Sequence, residues 1–126
     1  MKTAVKSSRA IEKKSLNRPE EVRTFEKGKV ELATVGGITF GRATFQPGWK
    51  WSEHVKPIAK TKSCQAPHTQ YVISGRLAVV MEDGTKVEFG PGDIGIIPPG
   101  HDAWVVGNEP AVAIDITGMT DYARPV

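Results

Sequence analysis

The sequence predicts an all-β fold, a small antiparallel barrel or sandwich, and three observations carry that expectation. Thirteen Gly and nine Pro are spread over 126 residues, which suits many short elements joined by tight turns. From Lys29 onward, apolar and polar residues alternate in short runs bounded by Gly, Pro and Asp. No segment carries a helical stripe long enough for a substantial helix. The length suits one domain with one core.

Residues 1–18 show neither alternation nor a helical stripe and read as coil or a marginal short helix. Pro19-Glu20-Glu21-Val22 fits a first helical turn, with proline early and acids following, although Arg18 is a poor cap. The division that follows is an N-terminal arm over 1–28, partly coil, and a barrel domain over 29–126. Val30–Thr34 and Ile38–Phe45 read as strands of a hairpin turning at Gly36-Gly37. Pro47-Gly48 interrupts, and Trp49–His54 resumes as a strand with Ser52 and His54 opposite Trp49 and Trp51. Lys56–Ser63 is polar, contains Pro57 and reads as a loop.

Gln65–Ile73 is the next strand, ended by Ser74-Gly75. Leu77, Val79 and Met81 then share a face, Asp83-Gly84 signals a hairpin, and Val87 and Phe89 point one way. Gly90-Pro91-Gly92 and Pro98-Pro99-Gly100 make corners around a short strand at Ile94–Ile97. A strand follows at Ala103–Gly107. The last strand, Ala111–Thr117, is expected to turn Val112, Ile114 and Ile116 inward.

Charge is unevenly placed. Residues 1–29 hold nine Lys/Arg against four Asp/Glu, and the remaining residues eight against ten. A basic arm of that kind can meet phosphates. No aromatic is interleaved with it before Phe25, as a single-strand binder requires, so a solvated leader is expected and nucleic acid is not the expected partner. No apolar run approaches the roughly 20 residues of a membrane span. The leading residues lack the apolar stretch of a signal peptide, and Glu12, Glu20 and Glu21 argue against a transit peptide. A single cysteine, Cys64, forms no internal disulfide and fits a reducing compartment, with cytoplasm the expectation.

Two runs concentrate the chemistry. Trp49–Gly75 holds two of the three histidines, the cysteine and two of the three tryptophans, and Gly92–Trp104 holds His101 and Trp104. In a strand, His68, Gln70 and Val72 face one way and Tyr71 and Ile73 the other. Cys64 shares the parity of His68 unless Pro67 introduces a bulge.

The spacing in these runs resembles the two motifs of the cupin superfamily. Gly92, Pro98 and Gly100 match the second motif's framework, with Ala103 at the histidine position and His101 two residues early. Gly75 and the Y-V-I-S-G ending match the first motif. There His68 stands in the glutamate's place, Cys64 in that of the second histidine and Lys62 in that of the first. The resemblance covers roughly residues 29–118 and extends to small single-domain cupins carrying W-S-E-H, S-C-Q and P-P-G-H-D-A-W runs. It implies a cupin-type double-stranded β-helix, a jelly-roll barrel, in a homodimer.

His54, His68 and His101, with Cys64 or water in the fourth place, form a candidate divalent-metal site. Imidazole and thiolate favour zinc or a late first-row ion, with iron, nickel or manganese as other members of the class. Each residue also has a plainer reading. His54 fits a surface position, His101 a hydrogen-bonded turn and Cys64 a small buried apolar residue. Gln70, Trp51, Trp104 and Ser52 are candidate pocket residues, although large aromatics in a small barrel also fill core. Glu53, Asp102 and Asp115 are candidates to orient an imidazole, or ordinary surface charges. Two functions are carried forward: a metal-dependent enzyme on a small organic substrate, and a non-catalytic module binding a small or sugar-like ligand.

Overall fold

In the computed structural model, residues 10–116 together with Met119, Tyr122 and Ala123 are described. Among these residues, nine strands form two antiparallel sheets: β1 Glu21–Phe25, β2 Gly28–Val35, β3 Ile38–Phe45, β4 His68–Ser74, β5 Leu77–Met81, β6 Lys86–Phe89, β7 Ile94–Ile97, β8 His101–Val105 and β9 Ala111–Asp115. The larger sheet runs β1-β2-β3-β9-β4-β7 and the smaller β6-β5-β8. This is the all-β antiparallel fold expected from the alternation, in the jelly-roll form that the cupin resemblance implied.

The hairpin across Gly36-Gly37 forms with Val35 opposite Ile38, both glycines taking positive φ. Asp83-Gly84 likewise lies in the turn between β5 and β6. Gly75 has φ +74, and a Cβ there would lie 2.2 Å from the Pro110 carbonyl oxygen. Only glycine lets β4 leave the sheet so close to the start of β9.

Three local expectations are corrected. Residues 19–22 do not open a helix; Glu21–Phe25 pairs with β2, with Arg23 opposite Val30. The run V-R-T-F has β-branched and aromatic character, and Lys27, at φ 63, closes a tight turn into β2. Trp51–His54 is a helical turn (α1) rather than a strand, and Lys56–Ala59 is a second (α2) within the expected loop. W-S-E-H is too short for its alternation to distinguish the two periods. The third correction is the parity of β9. Ala111, Ala113 and Asp115 are buried, while Val112 and Ile114 are partly exposed and Ile116 is exposed. Small residues fit the narrow interior between the sheets, and this inversion turns Asp115 inward.

The main core packs Phe45 on Trp49, ring centroids 4.0 Å apart, with Val30, Leu32, Trp51, Leu77 and Tyr122 around them. Residues 1–9 of the basic leading segment lie outside the described residues. No described helix is long and apolar enough to cross a membrane.

Candidate metal centre

Three side chains from two sheets meet inside the barrel. His68 opens β4 in the large sheet and pairs with Ile97. His101 opens β8 in the small sheet and pairs with Met81. Cys64 precedes β4 and is tied to His101 by an isolated antiparallel bridge. The Cys64 N–H donates to the His101 carbonyl at 2.8 Å, and the Gly100 N–H to the Cys64 carbonyl at 2.7 Å. All three residues are buried, and their ligand atoms lie within 4.8 Å of one another.

Each imidazole is oriented from behind. His68 Nδ1–H donates to Asp115 Oδ2, and Asp115 Oδ1 accepts from the Thr69 N–H at 3.1 Å. His101 Nδ1–H donates to the Pro98 carbonyl at 2.7 Å. Because a carbonyl only accepts, the bond to Pro98 fixes a proton on Nδ1 and leaves Nε2 of His101 to interact with Cys64. His68 Nε2 stands 3.8 Å from Cys64 Sγ, and the two imidazole rings meet edge to face at 5.2 Å.

The electrostatics follow from this packing. Burial pushes the Cys64 thiol up. Hydrogen bonds to His101 and His68, and charge on both, outweigh it and hold the thiol at about 6. Burial likewise disfavours the charged His68 ring, but the Asp115 and Cys64 hydrogen bonds and their negative charge raise it to about 9. In the metal-free protein the result is a thiolate–imidazolium pair backed by a carboxylate. Tyr122 packs edge-on to His68 at 5.5 Å. Burial drives its phenol well above the usual value, and negative charge on Cys64 and Asp115 adds to that.

The donor set fits a divalent ion. In a tetrahedral zinc site, bonds of about 2.0–2.3 Å put neighbouring donors roughly 3.3–3.8 Å apart. The Cys64–His68 separation of 3.8 Å falls in that range. One thiolate and two imidazoles suit zinc and late first-row ions, and hydrogen bonds behind both rings are what such ligands need. Three protein donors leave a coordination position open.

His54 is not in this group. The helical turn at Trp51–His54 buries it elsewhere, where its Nδ1 accepts from the Lys50 N–H at 3.0 Å and its Nε2 lies 3.9 Å from Glu26. Beside the three donors lies a cavity of about 40 Å³ whose lining includes Trp49, Trp51, Gln70, Asp115, Met119 and Tyr122. Trp51 and Gln70, two of the candidate pocket residues, line this cavity. Trp104 and Ser52 do not line it. Trp104 lies on the outside between Lys50 and Lys86, with their ammonium nitrogens 5.5 and 5.4 Å from its ring. The Ser52 N–H donates to Asp102. Of the three carboxylates considered, only Asp115 reaches an imidazole. Sequence reasoning missed Tyr122 and Met119, which lie beyond the last strand, where no alternation marks them.

The cupin-domain family profile matches residues 41–117, and the chain belongs to that family. No curated protein matches it in sequence. Among solved structures it is similar to a protein of unknown function from Rhizobium leguminosarum bv. viciae 3841, at 22% identity, covering 86% of this chain and 96% of that one with a TM-score of 0.59. A cupin-superfamily sugar phosphate isomerase from Silicibacter pomeroyi is 18% identical over 85% of this chain and 75% of that one, TM-score 0.59. The Lactobacillus farciminis oxalate decarboxylase, in a formate complex, is 21% identical over 78% of this chain, TM-score 0.56, and this chain spans 30% of its length. These likenesses establish the fold.

Proposed function

We propose that this protein is a small metallocupin that holds a divalent ion, zinc fitting best, through Cys64, His68 and His101, and acts on a small organic substrate. One observation carries the reading: three buried donors from both sheets converge, with each imidazole oriented by its own acceptor. A bound divalent ion supplies Lewis acidity and a lowered pKa for bound water. The chain's own residues orient the donors, close the cavity and hold a proton at His68 Nδ1. The burial of Phe45, Trp49 and Trp51 beside the site limits access of bulk water.

The test is zinc binding to metal-stripped protein by calorimetry. One ion per chain is expected, with binding lost or severely weakened in Cys64→Ser, His68→Ala and His101→Ala and retained in His54→Ala. Failure to take up zinc, or loss only in His54→Ala, overturns the proposal.

A second reading is a non-catalytic ligand-binding module without metal. The Cys64–His68–Asp115 chain favours it, because thiolate, imidazolium and carboxylate are mutually compensated without an ion. A homodimer is proposed with either reading. The outer face of β4 and β7 presents Tyr71, Ile73, Ile94 and Ile96, with Ile116 just past β9, all exposed, and among the described residues β7 is an edge strand of the large sheet. A compartment that keeps Cys64 reduced belongs to the same proposal.

A further inference from the structure

The wall of the cavity beside the three donors is not held in the same way throughout. Most of its residues lie in strands or in the helical turn that begins at Trp51. Trp49 and Cys64 lie outside the strands but are tied to them through the backbone. The Val105 N–H donates to the Trp49 carbonyl at 3.1 Å, and Cys64 is bridged to His101. Met119 and Tyr122 are different. Both are buried and line the cavity, yet they belong to no strand or helix. A side chain grips their backbone: Arg23 Nη1–H donates to the Met119 carbonyl at 3.2 Å and to the Tyr122 carbonyl at 2.8 Å.

Arg23 is placed for that task. It lies on β1 opposite Val30 and is 8% exposed, and burying a charge costs free energy unless its donors find acceptors. Glu21 accepts from Nε at 2.8 Å and from Nη2 at 3.2 Å. This two-point contact fixes the plane of the guanidinium and leaves Nη1 on the two carbonyls. The side chains of the segment carry its position to the metal centre. The Tyr122 ring lies 6.4 Å from Phe25 of β1 and 5.5 Å from His68. Met119 packs over Gly41, where a Cβ would lie 2.5 Å from its Cγ, and Gly41 pairs with Asp115. A surface groove of about 460 Å³, whose lining includes Arg23, Ile58 and Ala123, leaves unfilled space beside the segment.

We propose that the segment carrying Met119 and Tyr122 is a strap that closes the site, with Arg23 the positioning residue that fastens it. Solutes then reach Cys64, His68 and His101 when the strap lifts. Arg23 does not line the cavity, so it acts through the strap. The inference rests on the metal reading only for what the site holds; the strap and its fastening belong to the chain with or without an ion.

The test uses the full chain, metal-free, with iodoacetamide as the probe of access to Cys64. Labelling is followed by mass spectrometry at several urea concentrations below the unfolding transition. Entry through a local opening gives a rate nearly independent of urea, whereas entry through global unfolding gives one that climbs steeply with it. Arg23→Gln is expected to raise the urea-independent rate at least about tenfold, since hydrogen bonds from a charged group are lost. Arg23→Lys is expected to fall between the two, because an ammonium still donates to carbonyls but lacks the planar fork. If Arg23→Gln does not fold, Gly41→Ala displaces Met119 from the other side of the strap and is expected to speed labelling in the same urea-independent way. A folded variant whose urea-independent rate matches the wild type, or whose labelling rises only in its urea-dependent part, overturns the strap and leaves the metal reading to its own zinc titration. Faster urea-independent labelling in a protein that takes up no zinc supports the strap and removes the metal reading.

Discussion

Asp115 shows how much one residue's orientation decides. In sequence it is an acid near the end of a strand, and a strand ending A-V-A-I-D-I-T is naturally read with its large aliphatics inside. The structure turns the alanines in, and Asp115 goes with them to reach His68. Removing its charge while keeping its shape, Asp115→Asn, is expected to lower zinc affinity by roughly 10–100-fold without loss of fold, measured by competition with a chelating dye. Cys64 gives a second test in the metal-free protein. Its thiol sits near 6 where an ordinary cysteine titrates near 9. Thiolate absorbance at 240 nm should therefore appear as pH rises through about 6, and shift to higher pH in His68→Ala. A midpoint that stays near 9 in the wild type contradicts the thiolate–imidazolium pair.

At the scale of elements, the turns and the strands from β2 to β9 were legible because their signals are local. Gly36-Gly37, Asp83-Gly84 and the Gly–Pro corners each specify backbone geometry directly. The segment from Trp51 to Ala59 was not legible as helical turns, because four residues of alternating character fit a strand as well as a turn. That ambiguity also misplaced His54, which drops out of the donor group once its segment coils. Cys64, His68 and His101 were legible as candidates from their residue types and from the cupin resemblance. Their convergence depends on the isolated bridge joining Cys64, outside the named strands, to His101 of the small sheet, and such a long-range pairing leaves no local mark. Gly75 offers the sharpest test at this scale. Gly75→Ala imposes a positive φ and a contact of 2.2 Å with Pro110, so a stability loss of more than about 2 kcal/mol is expected in urea unfolding. A loss within experimental error would show that the β4 exit relaxes freely.

For the whole molecule, the distribution of apolar surface bears on assembly. The inner faces of both sheets are filled, yet Ile94 and Ile96 on β7 remain 76% and 79% exposed. Tyr71 stands opposite Ile94 in the β4–β7 register and opposite Ile114 in the β4–β9 register, which makes the patch continuous across three strands. Light scattering on eluting protein is expected to give a dimer, and Ile94→Asp with Ile96→Asp a monomer that still binds zinc. A wild-type monomer at high concentration removes the dimer. The basic leading segment makes no comparable claim: its residues 10–18 are exposed apart from Leu16, and Glu21–Phe25 is taken up in the large sheet as β1.

The central claim is that one thiolate and two imidazoles from this chain hold a divalent ion inside the barrel. X-ray absorption at the zinc edge of the zinc-loaded protein tests it most directly. The account predicts one sulfur at about 2.3 Å and at least two nitrogen or oxygen neighbours at about 2.0–2.1 Å, with the sulfur lost in Cys64→Ser. A shell of nitrogen and oxygen alone in the wild-type protein would contradict it.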